Sequence, residues 1–166
     1  ISAKLEEMGV GVIEEDDSVI ITRKGPLGRV NIKTQPYPGF PTDLQPQICV
    51  LMCLANGVSY LNESVWDNRF RYVSELKRMG VNIKVNGKSA IIEGGRPLSA
   101  AALKACDLRA GAAMVIAGLA TSGITEIEDI YYIERGYDNI VGKLRNVGAD
   151  ISLRTIPDVA PFGKAN

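Results

Sequence analysis

Along the chain, short apolar helical runs give way to brief strand-like segments, and the alternation recurs. Three segments share one grammar: LEEMGVGV (Leu5 to Val12), LKRMGVNI (Leu76 to Ile83) and LRNVGADI (Leu144 to Ile151). Each reads as the last apolar contacts of a helix, a glycine, and the opening of a strand. Gly9, Gly80 and Gly148 stand where a left-handed cap is expected, a conformation that residues with a Cβ adopt less readily. Alternation after the first two caps predicts hairpins: Val10 to Glu14 with Ser18 to Thr22 around Asp16-Asp17, and Val81 to Val85 with Ser89 to Glu93 around Asn86-Gly87.

A second repeated segment lies between the caps. TDLQPQICVLMCLANGVSYLNES, from Thr42, parallels CDLRAGAAMVIAGLATSGITEIED, from Cys106, with Asp43 and Asp107 in the same place. Both predicted helices are apolar nearly all round, so sheet is expected to cover them on several sides. The pattern defines an α/β unit of about 65 to 70 residues with two helices and about four strands, present slightly more than twice. Repeat units run roughly over 10–80 and 81–148 within one lobe, 1–156. Such units bury their faces against neighbours, so a third is expected to be incomplete here or supplied by chain outside this sequence. The chain opens at Ile1, inside a predicted amphipathic helix and without an initiator Met, and is expected to be cut from a longer protein. The tail, 157–166, has two prolines and no periodicity and is expected to wrap the surface or be disordered.

At 166 residues the chain is one domain or one lobe of something larger. Nineteen basic residues balance nineteen acidic ones, so nothing points to nucleic acid or an anionic membrane, and any cationic site must be local. There is no histidine, which removes Ser-His and Cys-His pairs and His-containing zinc sites. Carboxylates, lysines, arginines and thiols must carry any chemistry. Cys49, Cys53 and Cys106 are an odd number in apolar stretches, which reads as buried core thiols in a reducing, cytoplasmic compartment. No apolar run is long enough for a membrane span, and neither metal nor cofactor is implied.

Several local motifs have plainer readings. Asn86-Gly87-Lys88-Ser89 ends like a phosphate loop but lacks the upstream glycine, since Asn82 stands there, and reads as a hairpin turn. Cys49 and Cys53 are one helical turn apart with no further ligand nearby. Trp66 and the Tyr131-Tyr132 pair serve packing as well as they would stack a base.

Asp43, Arg69, Arg109 and Arg135 are the informative residues. Asp43 follows Pro36, Pro38 and Pro41, which hold the loop before it extended and stiff. Thr42 or Asp43 as a simple helix cap is the bland alternative, and Asp107 is expected to be one. Arg109 lies in the first turn of an otherwise uncharged helix, where a cation opposes the helix dipole, so an anion is expected to face it. Arg69 and Arg135 each follow, by 26 residues, Asp43 and Arg109 respectively. Pseudo-symmetry is expected to gather these helix starts on one rim, where arginines and helix N-termini suit a phosphate or carboxylate.

GFPTDLQ, VWDNRF, CDLRAGAA, IYYIERGY and KLRNVGADI occur in an order that closely resembles the UDP-N-acetylglucosamine enolpyruvyl transferases, from Ile1 to about Leu153. Enolpyruvylshikimate phosphate synthases are similar but match DNRF and PYPGFPTD poorly. The resemblance implies a lobe of βαβαββ units forming an inverse α/β barrel, with about two of three units present. It implies transfer of the enolpyruvyl group of phosphoenolpyruvate to the 3'-hydroxyl of UDP-N-acetylglucosamine, releasing phosphate, the first committed step of peptidoglycan synthesis. It further implies substrate-binding roles for Thr42, Asp43, Val65, Arg69, Arg109 and Arg135. Among these, Asp43 is a candidate general base, Val65 meets the nucleotide sugar through its backbone, and Arg109 and Arg135 stabilise phosphoenolpyruvate or intermediate charge. Asp107 is implied as support beside Arg109. Gly111 departs from relatives, which tend to carry Ser or Ala, and is expected to loosen its helix by about 1 kcal/mol. The family's catalytic cysteine and its Lys-Asn pair match no segment here, so the isolated chain is expected to need a second lobe and to be inactive. A non-catalytic binding module of the same fold is the alternative.

Overall fold

The computed structural model describes residues 1–155. Helix α1 (Ser2–Glu7) leads through Gly9 into the hairpin β1 (Val10–Glu14) and β2 (Val19–Arg23). A four-stranded sheet follows, in the order β3-β4-β6-β5: β3 (Asn31–Lys33), β4 (Gly57–Asn62), β5 (Asn82–Asn86) and β6 (Ser89–Gly94). The parallel β3–β4 pair is connected through α2 (Gln45–Leu54), and α3 (Val73–Arg78) returns the chain to the antiparallel β5–β6 hairpin. The next unit begins alike, with parallel β7 (Ala102–Lys104) and β8 (Glu126–Glu128) joined through α4 (Leu108–Leu119), then α5 (Tyr131–Glu134) and α6 (Ile140–Asn146).

This is the mixed α/β architecture expected, with one complete βαβαββ unit, but pairing sets a different phase from the repeats read as 10–80 and 81–148. A sequence period has no intrinsic start. Here β5 and β6, beyond residue 80, belong to the sheet of β4, with Leu61 opposite Ala90 and Ser59 opposite Ile92. The second hairpin turns at Gly87-Lys88, one residue later than expected, with Gly87 at φ +57°. The first turns over Glu15 to Ser18, closed by the Glu15 N–H donating to the Ser18 carbonyl at 2.9 Å.

Gly9, Gly80 and Gly148 adopt φ of +88°, +85° and +94°, the left-handed caps the sequence implied. Two caps dock identically: the Met8 carbonyl accepts from Gly28 N–H and the Met79 carbonyl from Ser99 N–H, both at 2.9 Å. The third differs. Met8 and Met79 are buried, whereas Val147 in the same place is 81% exposed, and 149–155 form no strand, contrary to the expected opening.

Helices α2 and α4 pack together at the centre, bringing Cys49, Val50, Met52 and Cys53 into one core with Ala110, Ala113, Met114 and Ala117. Full burial of a Met or Val side chain contributes roughly 1.5–3 kcal/mol, so this contact ties the two units firmly. Gly111 is a packing residue rather than a loosened turn of helix. A Cβ there would stand 2.5 Å from Ile133 Cγ1 and 3.2 Å from Ala105 Cβ, so glycine lets α5 sit close against α4. Cys49 and Cys53 are buried as expected, while Cys106 is only half-buried, a correction to its reading as core. The neighbouring Cys49 sulfur and burial together hold the Cys53 thiol well above its ordinary range. The 157–166 tail lies outside the described residues, among which no helix is long and apolar enough to cross a membrane.

Candidate functional site

Every residue singled out from the sequence follows the carboxyl end of a parallel strand. Thr42 and Asp43 come after β3, Val65 and Arg69 after β4, Asp107 and Arg109 after β7, and Arg135 after β8. Parallel strands point their ends the same way, which is where open α/β sheets gather ligand groups.

After β3 the chain closes a proline-rich excursion, with the Gln35 N–H donating to the Phe40 carbonyl at 2.9 Å and Gly39 N–H to the Pro36 carbonyl at 2.8 Å. Phe40 is buried and anchors the loop, and Thr42–Leu44 form a single 3-10 turn before α2. Neither Thr42 nor Asp43 caps a helix through its side chain, so the cap alternative fails at both. Asp43 instead turns outward to two guanidinium groups. Arg109 Nη2 donates to its Oδ2 at 2.8 Å and Arg69 Nη2 to its Oδ1 at 3.1 Å, the latter also reaching the Thr42 carbonyl at 3.2 Å.

Arg69 is aimed by Asn68, whose left-handed backbone (φ +55°) turns the chain just before it; asparagine tolerates that conformation better than most residues. Its side chain is only 11% exposed, while the Asp43 side chain is 57% exposed, so the carboxylate presents itself from a fixed cation. Asp107, by contrast, is the cap it was expected to be: its Oδ1 accepts from the N–H groups of Arg109 and Ala110, both at 2.9 Å. Leading N–H groups of α4 are thereby satisfied internally, and the positive charge of the rim lies on guanidinium groups rather than at that helix terminus. The hydrogen bond from Arg109 holds the Asp43 carboxyl below its ordinary range, with both arginine charges adding and partial burial opposing. Arg109 is pushed up reciprocally.

Arg135 ends α5 and is exposed, and among the described residues it forms no hydrogen bond or ion pair with the others. Val65 joins the rim through Glu63, which the sequence reading missed. Glu63 is 1% exposed, and its Oε1 accepts from Thr34 Oγ1 at 2.7 Å and from the N–H groups of Val65 and Trp66 at 2.9 Å. Its Oε2 accepts from Thr42 Oγ1 at 2.9 Å. A signal existed: Ser59 and Leu61 point inward on β4, and the same alternation carries Glu63 inward as a carboxylate. Tyr131 and Tyr132 face each other, ring centroids 4.1 Å apart, and so partner one another. Two surface grooves, one beside Arg23 and Arg96 and one beside Arg71 and Lys77, include neither Asp43 nor Arg109, and the exposure of the Asp43 side chain makes this an open rim.

A sheet of βαβαββ connectivity with an acid-and-arginine rim at its parallel-strand ends defines a lobe of the enolpyruvyl transferase type. The chain belongs to the EPSP synthase (3-phosphoshikimate 1-carboxyvinyltransferase) family, whose model matches residues 1–144. It is 58% identical over 151 residues to UDP-N-acetylglucosamine 1-carboxyvinyltransferase 3 of Caldanaerobacter subterraneus subsp. tengcongensis. It is likewise 58% identical over 151 residues to UDP-N-acetylglucosamine 1-carboxyvinyltransferase of Clostridium botulinum. Both alignments cover 91% of this chain and 36% of the relative, so the chain spans little more than a third of those proteins. Among solved structures, the enolpyruvyl transferase NikO from Streptomyces tendae superposes with a TM-score of 0.85 at 33% identity, covering 92% of this chain and 36% of that one. EPSP synthase from Acinetobacter baumannii superposes at 0.73 with 19% identity, covering 92% and 39% respectively, a likeness of fold.

Proposed function

We propose that this chain carries one face of the substrate site of a UDP-N-acetylglucosamine 1-carboxyvinyltransferase. The whole enzyme would move the enolpyruvyl group of phosphoenolpyruvate to the sugar 3'-hydroxyl and release phosphate, as a cytoplasmic step of peptidoglycan synthesis. One observation carries the reading: the Asp43 carboxylate is held between Arg69 and Arg109 on an open rim. Identity to relatives bearing that name, far above the 19% to a solved EPSP synthase, favours the sugar nucleotide over a shikimate phosphate.

The chemistry follows from the charges. Phosphoenolpyruvate brings a phosphate and a carboxylate, both of which suit bidentate guanidinium groups. An Asp43 carboxylate clamped by two arginines is a weak base. Anions arriving at Arg69 and Arg109 compete for those donors and raise the carboxylate's proton affinity, as a group taking a hydroxyl proton requires. Arg135, exposed after β8, is a further cation for the substrate's anionic groups in this reading. Other charge and proton steps belong to a second lobe, and the chain alone binds without turnover.

The test is an NMR titration of the chain with UDP-N-acetylglucosamine, run beside Asp43→Ala and beside shikimate 3-phosphate. Shifts confined to Thr42, Asp43 and Val65 that weaken in the variant, with none from the shikimate ester, are expected. A well-dispersed spectrum unmoved by the nucleotide refutes binding by this face alone.

A further inference from the structure

Glu63 is a carboxylate withdrawn almost wholly from water at the end of a parallel strand, and among the described residues it touches no cation; its partners are four neutral donors. Burying a charge this way is costly unless each lone pair is used, so the arrangement has a purpose beyond packing. Its donors come from three separate places: Thr34 at the end of β3, Thr42 beside Asp43, and the Val65–Trp66 backbone after β4. The web is closed by Ser64, whose N–H donates to Thr34 Oγ1 at 3.0 Å and whose hydroxyl donates to the Thr34 carbonyl.

We propose that Glu63 is a positioning residue of the sugar-nucleotide rim, fixing the Thr42–Asp43 turn and the Val65–Trp66 backbone in a single arrangement. The proposal rests on the reading of this rim as a sugar-nucleotide site. It also sets what Val65 can do. Its N–H is committed to Glu63, so the backbone atom it offers a ligand is the carbonyl oxygen, which takes a donor: a sugar hydroxyl or the acetamido N–H. A carboxylate accepts only, and its two oxygens hold four donors at once. In the isosteric amide the NH2 can face Thr42 only if that hydroxyl turns to accept, and the remaining oxygen is neutral, so even the best orientation replaces charge-assisted hydrogen bonds by neutral ones about half as strong while volume is kept.

The experiment compares the wild-type chain, Glu63→Gln and Thr42→Val by amide NMR, without ligand and during titration with UDP-N-acetylglucosamine. Expected for Glu63→Gln is a dispersed spectrum in which the Val65 and Trp66 amide protons move upfield and exchange faster, with affinity at least tenfold weaker. Affinity equal to wild type in a folded Glu63→Gln chain overturns the role of Glu63 while leaving the site standing. A wild-type chain that does not bind the nucleotide overturns binding by this face alone, and the positioning role with it. Should Glu63→Gln lose its dispersed spectrum, Thr42→Val removes the Thr42 donor to Glu63: a displaced Asp43 amide in the ligand-free spectrum together with weakened binding supports the proposal, and an Asp43 amide unmoved without ligand overturns it.

Discussion

Asp43 and Asp107 stand in the same place in two copies of one repeat, and the structure gives them opposite work, so exchanging each for alanine should have opposite consequences. Asp107 Oδ1 satisfies two leading N–H groups of α4, a helix whose other contacts form the centre of the core. Loss of such a cap costs about 0.5–2 kcal/mol, which in a chain of this size lowers the melting temperature by about 2–4 °C for each kcal/mol. Asp43 makes two ion pairs, but it is more than half exposed, and exposed pairs contribute about 0–1 kcal/mol each. Its removal leaves the largely buried Arg69 donating to the Thr42 carbonyl but without a carboxylate, which adds to the loss. Asp43→Ala should therefore cost about 0–2 kcal/mol for the two pairs together while weakening the nucleotide-induced shifts, and Asp107→Ala should lose stability with those shifts kept. Urea unfolding followed by circular dichroism, paired with the titration, reads both. Destabilisation of Asp43→Ala with its nucleotide-induced shifts intact refutes the division, because Asp43 would then be a structural residue.

Other outcomes follow from the same geometry. The Asp43 carboxyl is held below its ordinary range, so its pairing with Arg109 is complete above the ordinary aspartate range and is lost only as pH falls through that lower value; a carbon-13 carboxyl titration showing Asp43 at or above the ordinary value refutes the clamp. Inorganic phosphate should raise that titration midpoint by drawing the guanidinium groups away, and an unmoved midpoint despite shifted Arg109 side-chain signals counts against the exchange of partners. Gly111→Ala should destabilise slightly, since overpacking Ile133 costs about 1–3 kcal/mol against a helix-propensity gain of about 1 kcal/mol; a clearly stabilised variant in urea refutes the close fit. Strand β2 exposes Val19, Ile20 and Ile21 on an edge that is unpaired among the described residues, and it is the repeat counterpart of β6, just as β8 is the counterpart of β4. A second copy should therefore add β2 to β8, giving association that Ile20→Lys reduces; a wild-type monomer at high concentration on a sizing column refutes it.

The repeat was legible because its signals are local. A glycine after an apolar helix end must adopt a left-handed cap, and the hairpins follow from alternation and short turns. The phase was hidden, because which strand pairs with which depends on contacts between β4 and β6, far apart in sequence. For the site, the unfavourable charge of Arg109 in the first turn of α4 was the most informative signal, and the anion it needs is Asp43, 66 residues away. Glu63 was overlooked although its alternation pointed inward, since a charged residue at a strand end reads as exposed until its donors are seen. The sign at Gly111 was misjudged for a related reason: helix propensity is a property of one segment, whereas the space beside Gly111 belongs to Ile133 on another.

What makes one aspartate a bridge and the other a cap is loop length. From the end of β7 at Lys104 the chain reaches Asp107 almost at once, and its side chain accepts from the N–H groups that open α4. From the end of β3 at Lys33 it runs through the proline-rich excursion before Asp43, which carries the carboxylate past the helix start and toward the neighbouring unit. There it meets Arg69 of its own unit and Arg109 of the next. The two repeats therefore supply a common scaffold, and the site arises where that symmetry breaks. The longer loop in one copy converts a cap into a bridge across the seam, where one carboxylate accepts from guanidinium groups of both units.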